Sequence, residues 1–225
     1  MKHQSFSDKL KNLPGGIFLL GSILVLPGLL IIVLIYTRME THMAINSFHT
    51  SFLDNLMKYW THLGDGLMQI IVVSGLLFIS IRYFFTGLTA FLSVGLAAQF
   101  FKRLVFIDFP RPVKFFEIHN PGYQLYLVPD VDVLTWLSFP SGHAATAFGL
   151  FFSMALLTKS RALQAGLFII AAGVGYSRVY LSHHFLMDVV AGAFLGMILG
   201  WLSWRIFSRY ARPWIECSIL NVLKP

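Results

Sequence analysis

The chain has 225 residues, a length that suits one domain spanning 1–225. Hydrophobic types make up 56% of it and charged types only 12%, well under the roughly 25% of an ordinary soluble domain. That excludes a soluble globule and a disordered chain, and leaves an all-α protein that crosses a membrane several times. The net charge of +7 does not point to nucleic acid, because no basic run is interleaved with aromatics on a polar face. It suits Lys and Arg kept in cytoplasmic loops. Cys217, the one cysteine, excludes an internal disulfide and any multi-cysteine metal site.

A membrane span needs about 20 mostly apolar residues. The first expected span is 17–36, after a polar start with Lys2, Lys9 and Lys11. It is long for a signal peptide and no A-x-A-like site follows, so it should remain a helix, kinked at Pro27-Gly28. Residues 37–62 are polar and aromatic; His42, His49 and His62 share no metal-ligand spacing and read as surface or interfacial. Spans two and three, 62–81 and 83–101, are parted only by Arg82, which demands a tight turn. Segment 102–142 carries eight charged residues and five prolines, too polar to span and too long for a plain connector.

Spans 144–158, 163–178 and 184–207 complete six transmembrane helices. Gly192, Gly196 and Gly200 recur every four residues in the last, a small-residue stripe for close helix packing. In this layout the N-terminus, Arg82, Lys159, Arg161 and the C-terminal tail share one side. That side holds ten of the 17 basic residues and two of the ten acids, so both termini should be cytoplasmic.

Three polar clusters fall on the opposite face, at the ends of apolar helices, where ionisable groups are candidates for function. The first is Lys102-Arg103 with Arg111-Pro112, the second Pro140-Ser141-Gly142-His143, and the third Ser177-Arg178, His184 and Asp188. His184 and Asp188 are four apart, which on a helix puts them on one face. Asp188 can then hold one imidazole nitrogen and leave the other as a nucleophile. His183 would lie about 140° round the same helix, without that partner.

The planar fork of Arg178 suits a phosphoryl group, if the turn after span five folds it back toward the histidine. A loop ending at Gly142 offers a hydroxyl from Ser141 and an unshielded N–H, a ready anion site. His143 is placed to be a general acid, and Lys102 and Arg111 add positive charge. These are the parts of phosphoryl transfer: nucleophile, acid and cationic cradle. Singly, each is commonplace; a Pro-Ser-Gly is usually a turn and a lone Arg usually marks a boundary. The set at these spacings is not.

Pro140-Ser141-Gly142-His143 and Ser177-Arg178-x5-His184-x3-Asp188 resemble the second and third signatures of the type 2 phosphatidic acid phosphatase superfamily. Its first signature is a lysine, six residues, then Arg-Pro; here Arg111-Pro112 fits but position 104 is Leu. Either the linker is longer and Lys102 is the lysine, or Arg103 replaces it. The resemblance implies a phosphatase without metal or cofactor, acting on a lipid phosphate at the outer face of a bacterial inner membrane. It implies His184 as nucleophile, His143 as acid and then base, and Asp188 as orienter. Lys102, Arg111, Ser141, Gly142 and Arg178 would bind the phosphate.

Undecaprenyl pyrophosphate, phosphatidylglycerophosphate, phosphatidic acid and lipid A phosphates all stay open as substrates. Residues 113–139, with Glu117, Tyr123, Tyr126, Asp130 and Trp136, should shape head-group access. The expected surroundings are a bilayer and its lipid, with no obligate protein partner. A phosphotransferase would use the same phosphohistidine. A channel would need polar residues along its spans, and here they gather at one face.

Overall fold

A computed structural model describes residues 11–210 and 212–222. Most of those residues are helical, and there is no strand among them. Helix α1 is Gly16–Ile35, running through Pro27. Two short helices follow, α2 (Arg38–Asn46) and α3 (Ser51–Trp60), then a 3-10 turn at Thr61–Gly64. Next come α4 (Gly66–Leu76), α5 (Ile81–Phe100), a π-helical turn at Phe101–Val105, and α6 (Pro112–His119). The chain ends in α7 (Gly142–Leu157), α8 (Arg161–Tyr180), α9 (Leu186–Ser208), and the short α10 (Pro213–Glu216) and α11 (Ile219–Val222).

Four helical stretches are long and apolar enough to cross a membrane: Gly16–Ile35, Ile81–Val105, Arg161–Tyr180 and Leu186–Ser208. The other two expected spans are shorter apolar helices, Gly66–Leu76 and Gly142–Leu157. Eleven residues of α4 rise only about 16 Å, against a hydrocarbon core of about 30 Å. The predicted span over 62–81 is cut at both ends: Gly64-Asp65-Gly66 breaks the helix at its start, and a turn over 77–80 ends it.

Helix α7 is the axis of the bundle, buried from Ala144 through Ser153. It packs most extensively on α9, and the glycine stripe explains why. Gly192 lies against the main chain of Ser141, Gly196 against Ala145, and Gly200 against Gly149. A Cβ at any of the three would collide with a backbone carbonyl. Phe18 of α1 closes the other side of α7, edge-on to Phe148 and 5.1 Å from the Phe152 ring.

The bundle has two distinct ends. At one, Arg161 donates to Asn12 at 3.0 Å and Tyr83 donates to the Leu157 carbonyl at 2.7 Å. At this end the C-terminal segment also latches the α4–α5 turn. The Ile81 N–H donates to the Cys217 carbonyl at 2.9 Å, the Ile219 N–H to Leu77 at 3.0 Å, and the Ser80 hydroxyl to Ile215 at 3.0 Å. Arg82 pairs with Glu216 and donates to the Phe207 carbonyl. The opposite end collects the C-terminal end of α5, the start of α7, the end of α8 and the start of α9.

Candidate active site

The turn between α8 and α9 is wound around one carbonyl. The N–H groups of His183 and His184 both donate to the Arg178 carbonyl at 3.0 Å, which folds the arginine back toward the histidine. His184 does not lie on the helix, as its spacing to Asp188 suggested; it stands two residues before the first residue of α9. Asp188 reaches back from the first turn instead. Its Oδ2 accepts from the Phe185 N–H at 2.9 Å and the Ser138 hydroxyl at 2.5 Å, and lies 3.4 Å from His184 Nδ1.

His184 and Asp188 are each 1% exposed. Burial, with Lys102, Arg111 and Arg178 nearby, holds the His184 imidazole well below the usual histidine range. That environment favours the neutral ring, and with Nδ1 facing Asp188 it is Nε2 that Asp188 does not engage. His183, also off the helix, is pushed down to about 3 by burial and by Arg178 and Arg111. Its main chain, not its ring, touches the machinery: the His183 carbonyl accepts from Arg111 Nη1 at 3.2 Å.

Arg111 is aimed from three sides. Its Nε donates to the Trp136 carbonyl at 2.9 Å, and its N–H to the Thr135 carbonyl at 2.8 Å. Part of segment 102–142 is thus a bracket for the arginine. Tyr126 is turned away, donating to Asp54 at 2.6 Å, and Asp130 pairs with Lys58 at 3.3 Å. Arg178 Nη1 donates to Thr61 at 2.6 Å.

Both candidates for the lysine of the first signature lie in the π-helical turn. Lys102 turns inward there, 7% exposed and within the field of Arg111, Arg178 and Asp188. Arg103 faces out, donating to Gln99 at 3.1 Å.

Ser141 is fully buried as the N-cap of α7, accepting from the Ala144 N–H at 3.4 Å. The Ser141 N–H donates to the Asp188 carbonyl at 2.9 Å, so the two signatures are joined through main chain. Gly142 faces open space, where a Cβ would meet nothing within 4 Å.

Three residues at this end escaped sequence reasoning. Asp65 Oδ1 accepts from His143 Nε2 at 2.5 Å, and its Oδ2 accepts from His62 Nδ1 at 2.6 Å. The His143 hydrogen bond, with help from His62, holds the Asp65 carboxyl down to about 2. Ser138 braces Asp188, and Thr61 braces Arg178. None sits at a fixed spacing from its partner. His42, read as interfacial, is 1% exposed, its Nε2 3.1 Å from Ser182 Oγ, because α2 folds back over the α8–α9 turn.

Beside this cluster an apolar cavity of about 820 Å³ opens between α1, α8 and α9, lined by residues such as Leu29, Phe168, Ala172, Val179 and Leu186. A second, of about 370 Å³, shares Tyr36 and Thr41 with it and reaches Arg38, Phe109 and Met187, neighbours of the site residues. The Arg38 guanidinium lies 4.0 Å over the Phe115 ring.

A buried histidine–aspartate pair, inward cations and a helix start thus gather at one end of an apolar helical bundle. Residues 72–212 match the PAP2 superfamily, and the chain belongs to it. Undecaprenyl-diphosphatase BcrC of Bacillus subtilis is 28% identical over 177 residues, 77% of this chain and 84% of that protein. The crystal structure of Aquifex aeolicus LpxE superposes with a TM-score of 0.63 at 26% identity, covering 74% of this chain and 94% of that one. A transmembrane PAP2-type phosphatidylglycerolphosphate phosphatase from Bacillus subtilis superposes at 0.57 with 25% identity, covering 89% and 98%.

Proposed function

We propose that the protein hydrolyses a membrane lipid phosphate through a phosphohistidine on His184. The observation that carries this reading is convergence. The buried His184–Asp188 pair, the inward Lys102, Arg111 and Arg178, and the start of α7 all meet at one end of the bundle. His184 Nε2 attacks phosphorus in line, forming an N–P bond as the P–O bond to the lipid breaks. His143 gives its proton to the departing oxygen. Water then attacks phosphorus, passes a proton to His143, and frees orthophosphate with His184 restored. Lys102, Arg111, Arg178, the Ser141 hydroxyl and the Gly142 N–H hold the non-bridging oxygens. Asp188 fixes the tautomer of His184.

The apolar cavity beside the α8–α9 turn supports a long-chain substrate. Similarity across most of an undecaprenyl-diphosphatase makes an isoprenyl diphosphate the favoured one. We take residues 1–225 as a single domain in a bacterial inner membrane, and the charge distribution supports both termini in the cytoplasm and the site outside. The test is phosphate release in detergent from undecaprenyl diphosphate, phosphatidylglycerophosphate, phosphatidic acid and lipid A, with no acceptor added. Release is expected from the diphosphate first. Silence on all four, relieved by an alcohol acceptor, would instead make the protein a phosphotransferase.

A further inference from the structure

We infer that Asp65 is the positioning residue of His143, gripping its ring with one carboxylate oxygen while His62 pins the other. This rests on the acid role proposed for His143 and extends it to residues 61–66, which none of the three signatures includes.

The geometry of the carboxylate argues for that role. Asp65 stands at the N-cap position of α4, where an aspartate ordinarily accepts from its own helix. Here the side chain makes no cap hydrogen bond. Both oxygens go to histidines instead, Oδ1 to His143 at 2.5 Å and Oδ2 to His62 at 2.6 Å. Only the Asp65 main chain serves the helix, its carbonyl accepting from the Gln69 N–H at 3.0 Å.

The segment is clamped to the start of α7. A Cβ at Gly64 would stand 2.7 Å from Val174 Cγ1 and 3.1 Å from His143 Cβ, so glycine alone permits this approach. The Thr146 hydroxyl lies 3.2 Å from the Gly64 carbonyl, tying the two strands of chain together. Asp65 is thereby held at a fixed distance from the histidine it grips.

His143 needs such a partner. It is faced by Arg178 from α8 and Lys102 from the π-helical turn, with His183 and His184 beyond, in a site assembled to attract anions. Asp65 is the acid within hydrogen-bond reach of His143 among the described residues, since Asp188 is engaged with His184, Ser138 and the Phe185 N–H. One ring nitrogen of His143 is on Asp65, and the other is left to face the departing oxygen. The arrangement repeats at the acid what Asp188 does at the nucleophile.

The test measures leaving-group release in the first turnover, for a lipid phosphate and for p-nitrophenyl phosphate, across pH. Asp65→Asn should slow release from the lipid about 10- to 100-fold with KM little changed, and slow p-nitrophenol release far less. The alkaline limb of the lipid rate should move to lower pH, because the charge that favours the protonated ring is gone. Asp65→Glu should keep that limb near its wild-type position while losing rate, and it carries the test should the Asn variant fail to reach the membrane. Equal losses on both substrates with an unmoved limb would reduce Asp65 to a structural brace and overturn the inference. His143→Ala, run alongside, separates the two levels. If it loses both substrates equally, the acid assignment itself falls; if it discriminates between them and Asp65→Asn does not, only the role of Asp65 falls.

Discussion

His184 and Asp188 meet across the start of a helix, Nδ1 to Oδ2 at 3.4 Å, not along its face. The carboxylate is fixed independently of the histidine, by the Phe185 N–H at 2.9 Å and the Ser138 hydroxyl at 2.5 Å. The imidazole thus turns toward an acceptor that is already in place.

Substitutions at the two histidines should fail differently. His184→Ala leaves no nucleophile and should form no phosphoenzyme on any substrate. His143→Ala should lose about 10²–10⁴-fold on a lipid phosphate and much less on p-nitrophenyl phosphate, whose leaving group needs no proton. Asp188→Asn should fall between, and His183→Ala should stay near wild type, because only its main chain holds Arg111. Phosphoenzyme trapping with both substrates reads all four; an inactive His183→Ala beside an active His184→Ala would reverse the assignment.

Lys102→Ala should reduce kcat/KM by about 10²–10³-fold, typical of removing a donor to the transition-state oxyanion. Arg103→Ala should be mild, since its side chain points outward to Gln99. Steady-state kinetics of the two single variants checks this, and the opposite order would give Arg103 the lysine's role.

The sequence carried the six apolar helices, the packing stripe of α9 and the two intact signatures because each is a local pattern. Period, length and fixed spacing were enough to bring out Ser141, His143, Arg178, His184 and Asp188 together. Local patterns also misled. Four-residue spacing predicted a helical face for His184, whereas the chain makes a turn around the Arg178 carbonyl and starts the helix two residues later. Hydropathy ran α4 through Asp65, although glycines on both sides stop the helix there. The remaining partners were out of reach: Asp65 and His143 are 78 positions apart, Ser138 and Asp188 50, and no composition rule links them.

The apolar cavity can be tested by filling it. Ala172→Phe places a ring among the lining residues of α8, about 9 Å of helix rise before Arg178. KM for a long-chain lipid phosphate should rise several-fold, while turnover of p-nitrophenyl phosphate should not change. A parallel loss on both would mean that the helix bundle, not the chain-binding cavity, was disturbed.

Asp65 also sets a pH dependence of stability. Its carboxyl is held at about 2 in the folded protein, below the ordinary 3.8, chiefly by the His143 hydrogen bond. A depressed carboxylate contributes stability above its unfolded value and loses it as pH falls through the folded one. The Tm difference between wild type and Asp65→Asn in detergent should shrink as pH falls from about 4 toward 2. A difference that grew over that same interval would contradict the depressed carboxyl.

Activity should survive chelation and be inhibited by vanadate. The proposed roles are filled by side chains, and a trigonal-bipyramidal vanadate on His184 would resemble the in-line transition state. Phosphate release in EDTA and a vanadate titration at limiting substrate check both expectations; loss in EDTA restored by a divalent ion would show different chemistry.

The latch at the opposite end sets an order of assembly. The turn between α4 and α5 is closed by Ile215, Cys217 and Ile219, residues synthesised well over a hundred positions later. Until they arrive, the Ile81 N–H and the Leu77 carbonyl lack their final partners, and Arg82 has neither Glu216 nor the Phe207 carbonyl. The α4–α5 turn is therefore completed only once residues 215–219 have been made. A chain cut before Ile215 would keep every residue of the α4–α5 turn and yet lose all three hydrogen bonds that close it, together with the Glu216 partner of Arg82.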